Sequence, residues 1–402
     1  MQNEEQLNEL NSPLQVSSLR SQVSCASTAL KILILQEIDQ QQGLLPFHRF
    51  MELALYHPEH GYYTSGRARI GKEGDFFTSV SVGPIYGRLL ASICREVWER
   101  IGSPNEFVII EQGAHDGMLA ADILEAIMAP SDAFSSALRY LIVEPFSINH
   151  AKQQAKLTSF SQVSWISSLD ETPSFTGIHL SSELLDAFPI HSLRWNGTAW
   201  LEECVGRNGD ELIWCTKPIT DSEVIQAAEQ LPKDLSPGFR VEVNLEVRHW
   251  LTCLYEKMER GIILTIDYGQ AGEDRYAPHR ADGTLLAYQS HKRFNDPLPV
   301  PGQRDITAQV DFTALAHEAK KVGFEILGYS DQHHFLIGAA EPWLRSLGDS
   351  APQYQSDLRA LQTLLNPSTM GMQFKAIALG KEFPKSPSLG SFKYQRPGVE
   401  LL

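Results

Sequence analysis

The 402-residue chain predicts an α/β protein built on a doubly wound, mostly parallel sheet. Three observations carry that expectation. Short apolar runs of strand length alternate with longer stretches of helical period, the pattern of a parallel sheet covered on both faces. Three of those runs end in an acid: Ile109-Ile110-Glu111, Ile142-Val143-Glu144 and Thr265-Ile266-Asp267. The first of them passes through a glycine turn, Gly113-Ala-His-Asp-Gly117, into a helix. In such sheets ligands sit outside the carboxyl ends of the strands, so the residues just beyond each run are the functional candidates.

Residues 1–27 are polar and rich in Ser, Gln and Asn, and read as a flexible lead-in. A helix is expected from Ser27 to about Gln42, ended by Gly43. A second follows over Pro46–Tyr56, with Phe47, Phe50, Met51 and Ala54 on one face, and His57–Tyr63 turns the chain. The loop Ile70–Ser79 holds Gly71, Gly74, Asp75, Phe76, Phe77, Thr78 and Ser79. That composition suits either a plain surface turn or a loop that closes over a ligand. A helix over Pro84–Arg100 feeds the strand Phe107–Ile110, and the helix after the glycine turn shows Leu119, Ile123 and Ile127 at spacings of four. Next come a strand at Tyr140–Glu144, a helix over Ser147–Leu157, and strands near Val163–Ile166 and Gly177–Leu180.

The rhythm then changes. Leu193–Leu201 places Asn196-Gly197 between two aromatic-bearing runs, a hairpin signal. A strand at Glu211–Cys215 and a Pro-rich connector, Pro218 to Pro237, complete an insertion. The helix Asn244–Arg260 and the strand Gly261–Gly269 return the chain to the sheet. A polar loop of about 270–305 precedes a helix over Asp311–Val322, and strands near Phe324–Tyr329 and His334–Gly338 are expected to form the antiparallel end. A helix over Gln355–Leu365, a strand over Met370–Ala378 and a Pro/Ser-rich tail finish the chain. The expected division is a lead-in (1–27), an N-terminal helical segment (28–105), a first core part (106–189), a β-hairpin insertion (190–243), a second core part (244–380) and a tail (381–402).

Composition narrows the function. A net charge of −15 argues against a dedicated nucleic-acid binder. The five cysteines are scattered without a C-x-x-C pair, which supports neither a zinc site nor a disulfide framework. No apolar run approaches the ~18–20 residues that span a bilayer, so no membrane insertion is expected. Glu4, Glu5 and Glu9 precede any arginine, the wrong sign for an organelle transit peptide, and a cytoplasmic protein of bacterial type is the expectation.

The glycine turn points to a nucleotide without naming it. A dinucleotide fold needs G-x-G-x-x-G so that backbone can meet a pyrophosphate, and here His115 stands where the middle glycine would fall. No Gly-Lys-Ser/Thr follows, so the turn is not a P-loop either. Glu111 beside the turn would repel phosphates but can receive the ammonium of a methionine moiety, which makes S-adenosylmethionine the obvious candidate cofactor. On these residues a methyltransferase stands ahead of a dehydrogenase.

Several segments together resemble one family. They are Phe50-Met-Glu-Leu-Ala-Leu-Tyr-His-Pro58, Gly61-Tyr-Tyr63, Gly74-Asp-Phe-Phe-Thr-Ser79, Glu111-x-Gly113, Gly117-x-Leu-x-x-Asp-Ile-Leu124, Ser182-Glu-Leu-Leu-Asp-Ala-Phe-Pro189, Ile266-Asp-Tyr-Gly269, Gly283–Tyr288, Asp305–Phe312 and Met370–Lys375. In this order the chain looks like a member of the MidA family of S-adenosylmethionine-dependent methyltransferases, whose mitochondrial members are complex I assembly factors that methylate a protein arginine. The resemblance implies a seven-stranded, Rossmann-like methyltransferase sheet with helical and hairpin additions. It implies that Glu111, Gly113, Ala114 and Gly117 cradle the methionine end of the cofactor and that Glu144 holds the ribose. Ser168 and Leu169 would lie near the adenine, and Gly74, Thr78 and Ser79 would close the site. It further implies a protein substrate, with a respiratory-complex subunit as the candidate partner.

The chain departs from the family in two places: the more usual Gly-Pro-Gly-Arg-Gly-like turn is Gly113-Ala-His-Asp-Gly117, and Ser182 replaces an Asn before the Glu. An arginine acceptor needs carboxylates that bind a guanidinium bidentately, and Glu183 and Asp186, just past a strand, are the catalytic candidates. The bland alternatives are a helix-start acid and a helix exit. Asp267-Tyr268 is a further strand end, with Tyr268 equally suited to core packing. His333-His334 reads as structural. Two other functions stay open: a catalytically silent assembly protein on this fold, and a methyltransferase for small molecules.

Overall fold

The computed structural model describes residues 28–68, 78–128, 132–347 and 354–395. Gly74 and the 1–27 lead-in lie outside the described residues. The described residues divide into two compact units: those within 28–68, 189–243 and 285–307 form one, and those within 78–188, 244–284 and 308–395 form the other.

The second unit holds the sheet. Its strands are β1 (Phe107–Gln112), β2 (Leu138–Val143), β3 (Val163–Ile166), β4 (Phe175–Ser182), β5 (Met258–Gln270), β6 (Glu325–Asp331) and β7 (Phe374–Lys381), in the spatial order β3-β2-β1-β4-β5-β7-β6. A two-residue strand, Val310–Asp311, adds to the end of β5. Strands β1 to β5 are parallel, whereas β7 runs antiparallel to both of its neighbours. The expected parallel, doubly wound sheet is present.

Alternation along each strand explains the layering. In β1, Phe107 and Ile109 join a core with the helices α1 (Ile85–Arg100), α2 (Met118–Ile127), α6 (Gln332–Leu347) and α7 (Gln355–Leu365). Ile110 points the other way, into a core with α4 (Glu246–Lys257) and α5 (Phe312–Val322). A further helix, α3 (Ser147–Lys156), follows β2, and a short one, Ala133–Ala137, precedes it. Two glycines permit close approach, one between helices and one between strands. A Cβ on Gly87 would lie 2.4 Å from Asp122 Cβ, so α1 and α2 approach there as only glycine allows. A Cβ on Gly177 would lie 1.9 Å from the Val108 carbonyl oxygen, between β4 and β1.

The first unit is mostly antiparallel. The strand Trp200–Asn208 pairs with His191–Trp195, Glu211–Pro218 and Leu45–Pro46, and His191–Trp195 also pairs with Arg240–Val243. The Asn196-Gly197 hairpin is real, but the Trp195–Trp200 register makes its link four residues long. Asn196 Oδ1 accepts from the Thr198 and Ala199 N–H groups at 2.8 Å each and holds that link.

Three expectations need correction. His334–Gly338 is not a strand but part of α6; Phe335, Leu336, Ala339 and Ala340 are buried at helical spacing, and a short apolar run does not tell the two apart. The antiparallel strand of the sheet is β7 instead. The polar stretch 270–305 contains short strands at Leu286–Gln289 and Lys292–Phe294, with Asp305–Thr307 pairing beside them. The connector after Pro218 contains a helix, Ser222–Glu229, capped by Asp221, whose carboxylate accepts from the Glu223 and Val224 N–H groups.

Candidate active site

Because β1 to β5 are parallel, their carboxyl ends fall in one row. Gln112 pairs in register with Val143 and with Ser181, Val143 with Ile166, and Ser182 with Ile266. At ~4.8 Å per strand the row from β3 to β5 spans about 19 Å. Just beyond it lie the glycine turn, Glu144, Ser168-Leu169, Glu183–Asp186 and Asp267.

The turn after β1 needs left-handed backbone three times, at Gly113 (φ 86°), His115 (φ 47°) and Gly117 (φ 81°). Glycine takes this conformation freely; His115 holds it against its own Cβ. Asp116 braces the turn from outside: its Oδ1 accepts from Met118 N at 3.1 Å, and its Oδ2 pairs with Lys156. Burial opposes ionisation of Asp116, yet bonds from His115 and Lys156 hold its carboxyl well below the usual range. His115 Nε2 is buried and has no partner among the described residues.

Glu111, at the base of the turn, is 2% exposed and accepts from the Tyr140 hydroxyl at 2.8 Å. Burial pushes its carboxyl up to about 7, against the pull of that hydroxyl. Glu144 directly follows β2, with Oε1 accepting from Phe146 N at 2.9 Å and Oε2 from Gln153 Nε2 at 2.7 Å. Burial raises it too, opposed by those donors and by a hydrogen bond from Asn149. Past β3, Ser168 accepts from Asp170 N and starts the short turn Leu169–Glu171.

The loop after β4 carries the two catalytic candidates. Glu183 is half-buried and takes a left-handed φ of 58°, while its N–H donates to Ile266 O at 2.9 Å. Asp267, near the carboxyl end of β5 and level with the end of β4, is fully buried and pins the backbone of this loop. Its Oδ2 accepts from the N–H groups of Leu184 (3.1 Å), Leu185 (2.9 Å) and Asp186 (3.3 Å), and its Oδ1 from that of Tyr268 (2.8 Å). Burial and the neighbouring Asp186 and Glu183 charges raise Asp267 well above the carboxylate range, against those backbone donors. Burial lifts Asp186 to about 6, opposed by a hydrogen bond with Tyr268. The two acids therefore titrate as a pair. Below the loop, the Tyr86 hydroxyl and Ser182 Oγ lie 3.1 Å apart. The loop and the glycine turn touch: a Cβ on Gly113 would lie 3.5 Å from Leu184 Cδ1.

Residues 89–330 match the family described as S-adenosyl-L-methionine-dependent methyltransferases. The chain belongs to that family. The resemblance read from its motifs holds, and this methyltransferase uses S-adenosylmethionine as its cofactor. A Burkholderia thailandensis protein described as a "COG1565 superfamily member and likely methyl transferase", solved bound to S-adenosyl-homocysteine, has the same fold. It matches with a TM-score of 0.84 at 27% identity, over 94% of this chain and 98% of that one. Among curated relatives, the Drosophila melanogaster "Protein arginine methyltransferase NDUFAF7 homolog, mitochondrial" is 28% identical over 84% of this chain and 82% of its own. The Homo sapiens "Protein arginine methyltransferase NDUFAF7, mitochondrial" is 27% identical over 84% of this chain and 80% of its own. These names overturn the cytoplasmic expectation, since both relatives are mitochondrial. An acidic lead-in was too slight a basis for a compartment.

The glycine turn, Glu111, Glu144, Ser168, Leu169, Glu183 and Asp186 all stand along the row of strand ends of this methyltransferase. Thr78 and Ser79 are committed elsewhere. Ser79 Oγ is fully buried and donates to Gln332 Oε1 at 3.0 Å, and the Thr78 N–H donates to Ser81 Oγ at 3.0 Å. Three supporting residues escaped the sequence reading of function: Tyr140, Gln153 and the pinning role of Asp267. Asp267 ends an apolar run and was visible as a strand-end acid. Gln153 carries no signal, since its neighbour Gln154 looks identical in sequence and is exposed.

Proposed function

We propose that this methyltransferase methylates an arginine side chain of a protein partner. The observation that carries the proposal is the acid loop after β4. Glu183 and Asp186 flank a backbone segment that a third, buried acid holds by three N–H bonds. Left-handed backbone at a non-glycine residue persists only where its surroundings enforce it, and such residues cluster at functional sites. The names of the curated relatives support the same acceptor. A respiratory-complex subunit is the partner class that the family resemblance suggests.

The residues of the row fit the cofactor. Glu144 accepts from the Phe146 N–H, Gln153 and Asn149, three donors against about four lone-pair sites, which leaves acceptor capacity for a ribose hydroxyl. Glu111, Gly113, Ala114 and Gly117 would hold the methionine end, where an ionised Glu111 meets a cation and the unpartnered His115 Nε2 offers a further polar contact. Ser168 and Leu169 would border the adenine. S-adenosylmethionine, when bound, supplies the methyl group as an electrophile.

The chain's own part is alignment and proton management. Glu183 and Asp186 accept N–H bonds from the planar guanidinium and aim one nitrogen along the row. That nitrogen must shed a proton as its new bond to carbon forms. Burial raises Asp186 above the usual carboxylate range, which makes it a better proton acceptor than a free carboxylate.

The test is incubation with methyl-labelled S-adenosylmethionine and a protein extract, followed by separation of protein from the soluble pool. Label is expected in the protein fraction, with a loss of about a hundredfold in Glu183→Gln. Label confined to small molecules would sink the proposal.

A further inference from the structure

Gln153 ties together the ends of three strands. It is fully buried on α3. Its Oε1 accepts from Trp165 Nε1, on β3, at 2.9 Å. Its Nε2 donates to Glu144 Oε2, past β2, at 2.7 Å and to the carbonyl oxygen of His115, in the turn past β1, at 2.9 Å. The orientation of this amide is decided by chemistry. An indole nitrogen only donates, so the Trp165 side must be the amide oxygen, and both groups on the other side only accept. A flipped amide would oppose two acceptors with an oxygen and one donor with an NH₂ group. The glycine at 117 belongs to the same arrangement, since a Cβ there would press on Gln153 Cα and Cγ at 3.4 Å.

We infer that Gln153 is a positioning residue for the methyl donor, which sets the ribose-facing carboxylate of Glu144 and the backbone of the glycine turn at a fixed separation. The inference rests on the assignment of Glu144 to the ribose. Gln153 itself touches neither end of the ligand. Its two acceptors do, one beside the nucleoside and one in the turn that would hold the methionine end. Loss of its NH₂ group frees Glu144 to turn away and releases the strained His115 carbonyl, so donor affinity falls while a saturated site still turns over.

The experiment is calorimetry with S-adenosyl-homocysteine on the full chain, using Glu144→Ala, Gln153→Met, Gln153→Glu and the Glu144→Ala/Gln153→Met double variant. Melting curves establish which variants are folded. Gln153→Met keeps the volume and removes every bond; Gln153→Glu keeps the bond to Trp165 and presents an oxygen to Glu144, so at least one is expected to fold. Each Gln153 variant is expected to bind roughly ten- to hundredfold more weakly, the effect of losing a charge-assisted bond. Label transfer should show the KM for S-adenosylmethionine raised by a similar factor and kcat within about threefold. In the double variant the Gln153→Met effect should shrink, because the part of it that acts through Glu144 is already lost. A merely structural role would give additive losses. Weakened binding by Glu144→Ala with wild-type binding by the folded Gln153 variants overturns the inference alone, as does full additivity. Wild-type binding by Glu144→Ala overturns the ribose assignment and removes the inference with it.

Discussion

Replacing Asp267 by alanine tests whether the acid loop is a built device. The change deprives four backbone N–H groups of their acceptor, three of them in the loop at 2.9 to 3.3 Å. A buried donor left without a partner costs about 1–3 kcal/mol. Relaxation of Glu183 from its left-handed φ returns about 1–3 kcal/mol, and removal of an acid whose burial disfavours its charge offsets more. The net loss should be about 2–4 kcal/mol of stability, read as a lower denaturant midpoint. The relaxed loop no longer presents Glu183 and Asp186 together, so label transfer to protein should fall about a hundredfold, equivalent to roughly 2.7 kcal/mol at the transition state. S-adenosyl-homocysteine affinity should change less than about fivefold, because the cofactor candidates are held by β1, β2 and β3. Asp267→Asn keeps one acceptor oxygen and should fall between the two. A stable, folded Asp267→Ala chain with label transfer within about threefold of wild type would refute the reasoning.

Three further outcomes rest on the same geometry. Burial lifts Glu111 from 4.5 to about 7, so the folded chain holds an extra proton in that window and its stability falls as pH rises through it. Glu111→Gln should therefore gain on the wild type between about pH 5 and 8, by up to about 3 kcal/mol, in melting curves taken across that range; a constant difference would contradict this. His115→Gly removes about 1–2 kcal/mol of left-handed strain and adds about 0.4–1 kcal/mol of unfolded-chain entropy, so its stability should be near that of the wild type, whereas His115→Val should lose about 2 kcal/mol or more by thermal melting. Gly177→Ala places a methyl 1.9 Å from the Val108 carbonyl oxygen, inside the β4–β1 ladder, and should abolish soluble expression or lower the denaturant midpoint by several kcal/mol.

Much of this site was legible because parallel strands end where apolar runs end. Glu111, Glu144 and Asp267 each break such a run, and fold class alone puts them in one row. The missing middle glycine was legible as well. The structure shows why it matters: His115 occupies one of three alternating left-handed positions in the turn. What failed was the judgement of short apolar segments without flanking breakers. His334–Gly338 offers five residues that suit strand or helix, and only the burial of Phe335, Leu336 and Ala339 against α1 and β7 decides for helix. Roles that act through backbone were out of reach. Asp267 holds N–H groups more than 80 residues earlier in the chain, and nothing in the composition of either segment announces it. Gln153 is polar on a helix that is otherwise mostly polar, and becomes a buried hub only once α3 has packed beside Glu144 and Trp165.

The central claim is that carboxylates at the end of β4 direct a methyl group to arginine. The most direct measurement is mass spectrometry of the methylated protein product, which locates the new methyl group on a side-chain atom. The account predicts a methyl on a guanidinium nitrogen of arginine, formed by the wild type and lost in Glu183→Gln and Asp186→Asn while both still bind S-adenosyl-homocysteine. A methyl on lysine, on a carboxylate or on a small molecule, or an arginine methyl formed undiminished by both variants, would contradict it.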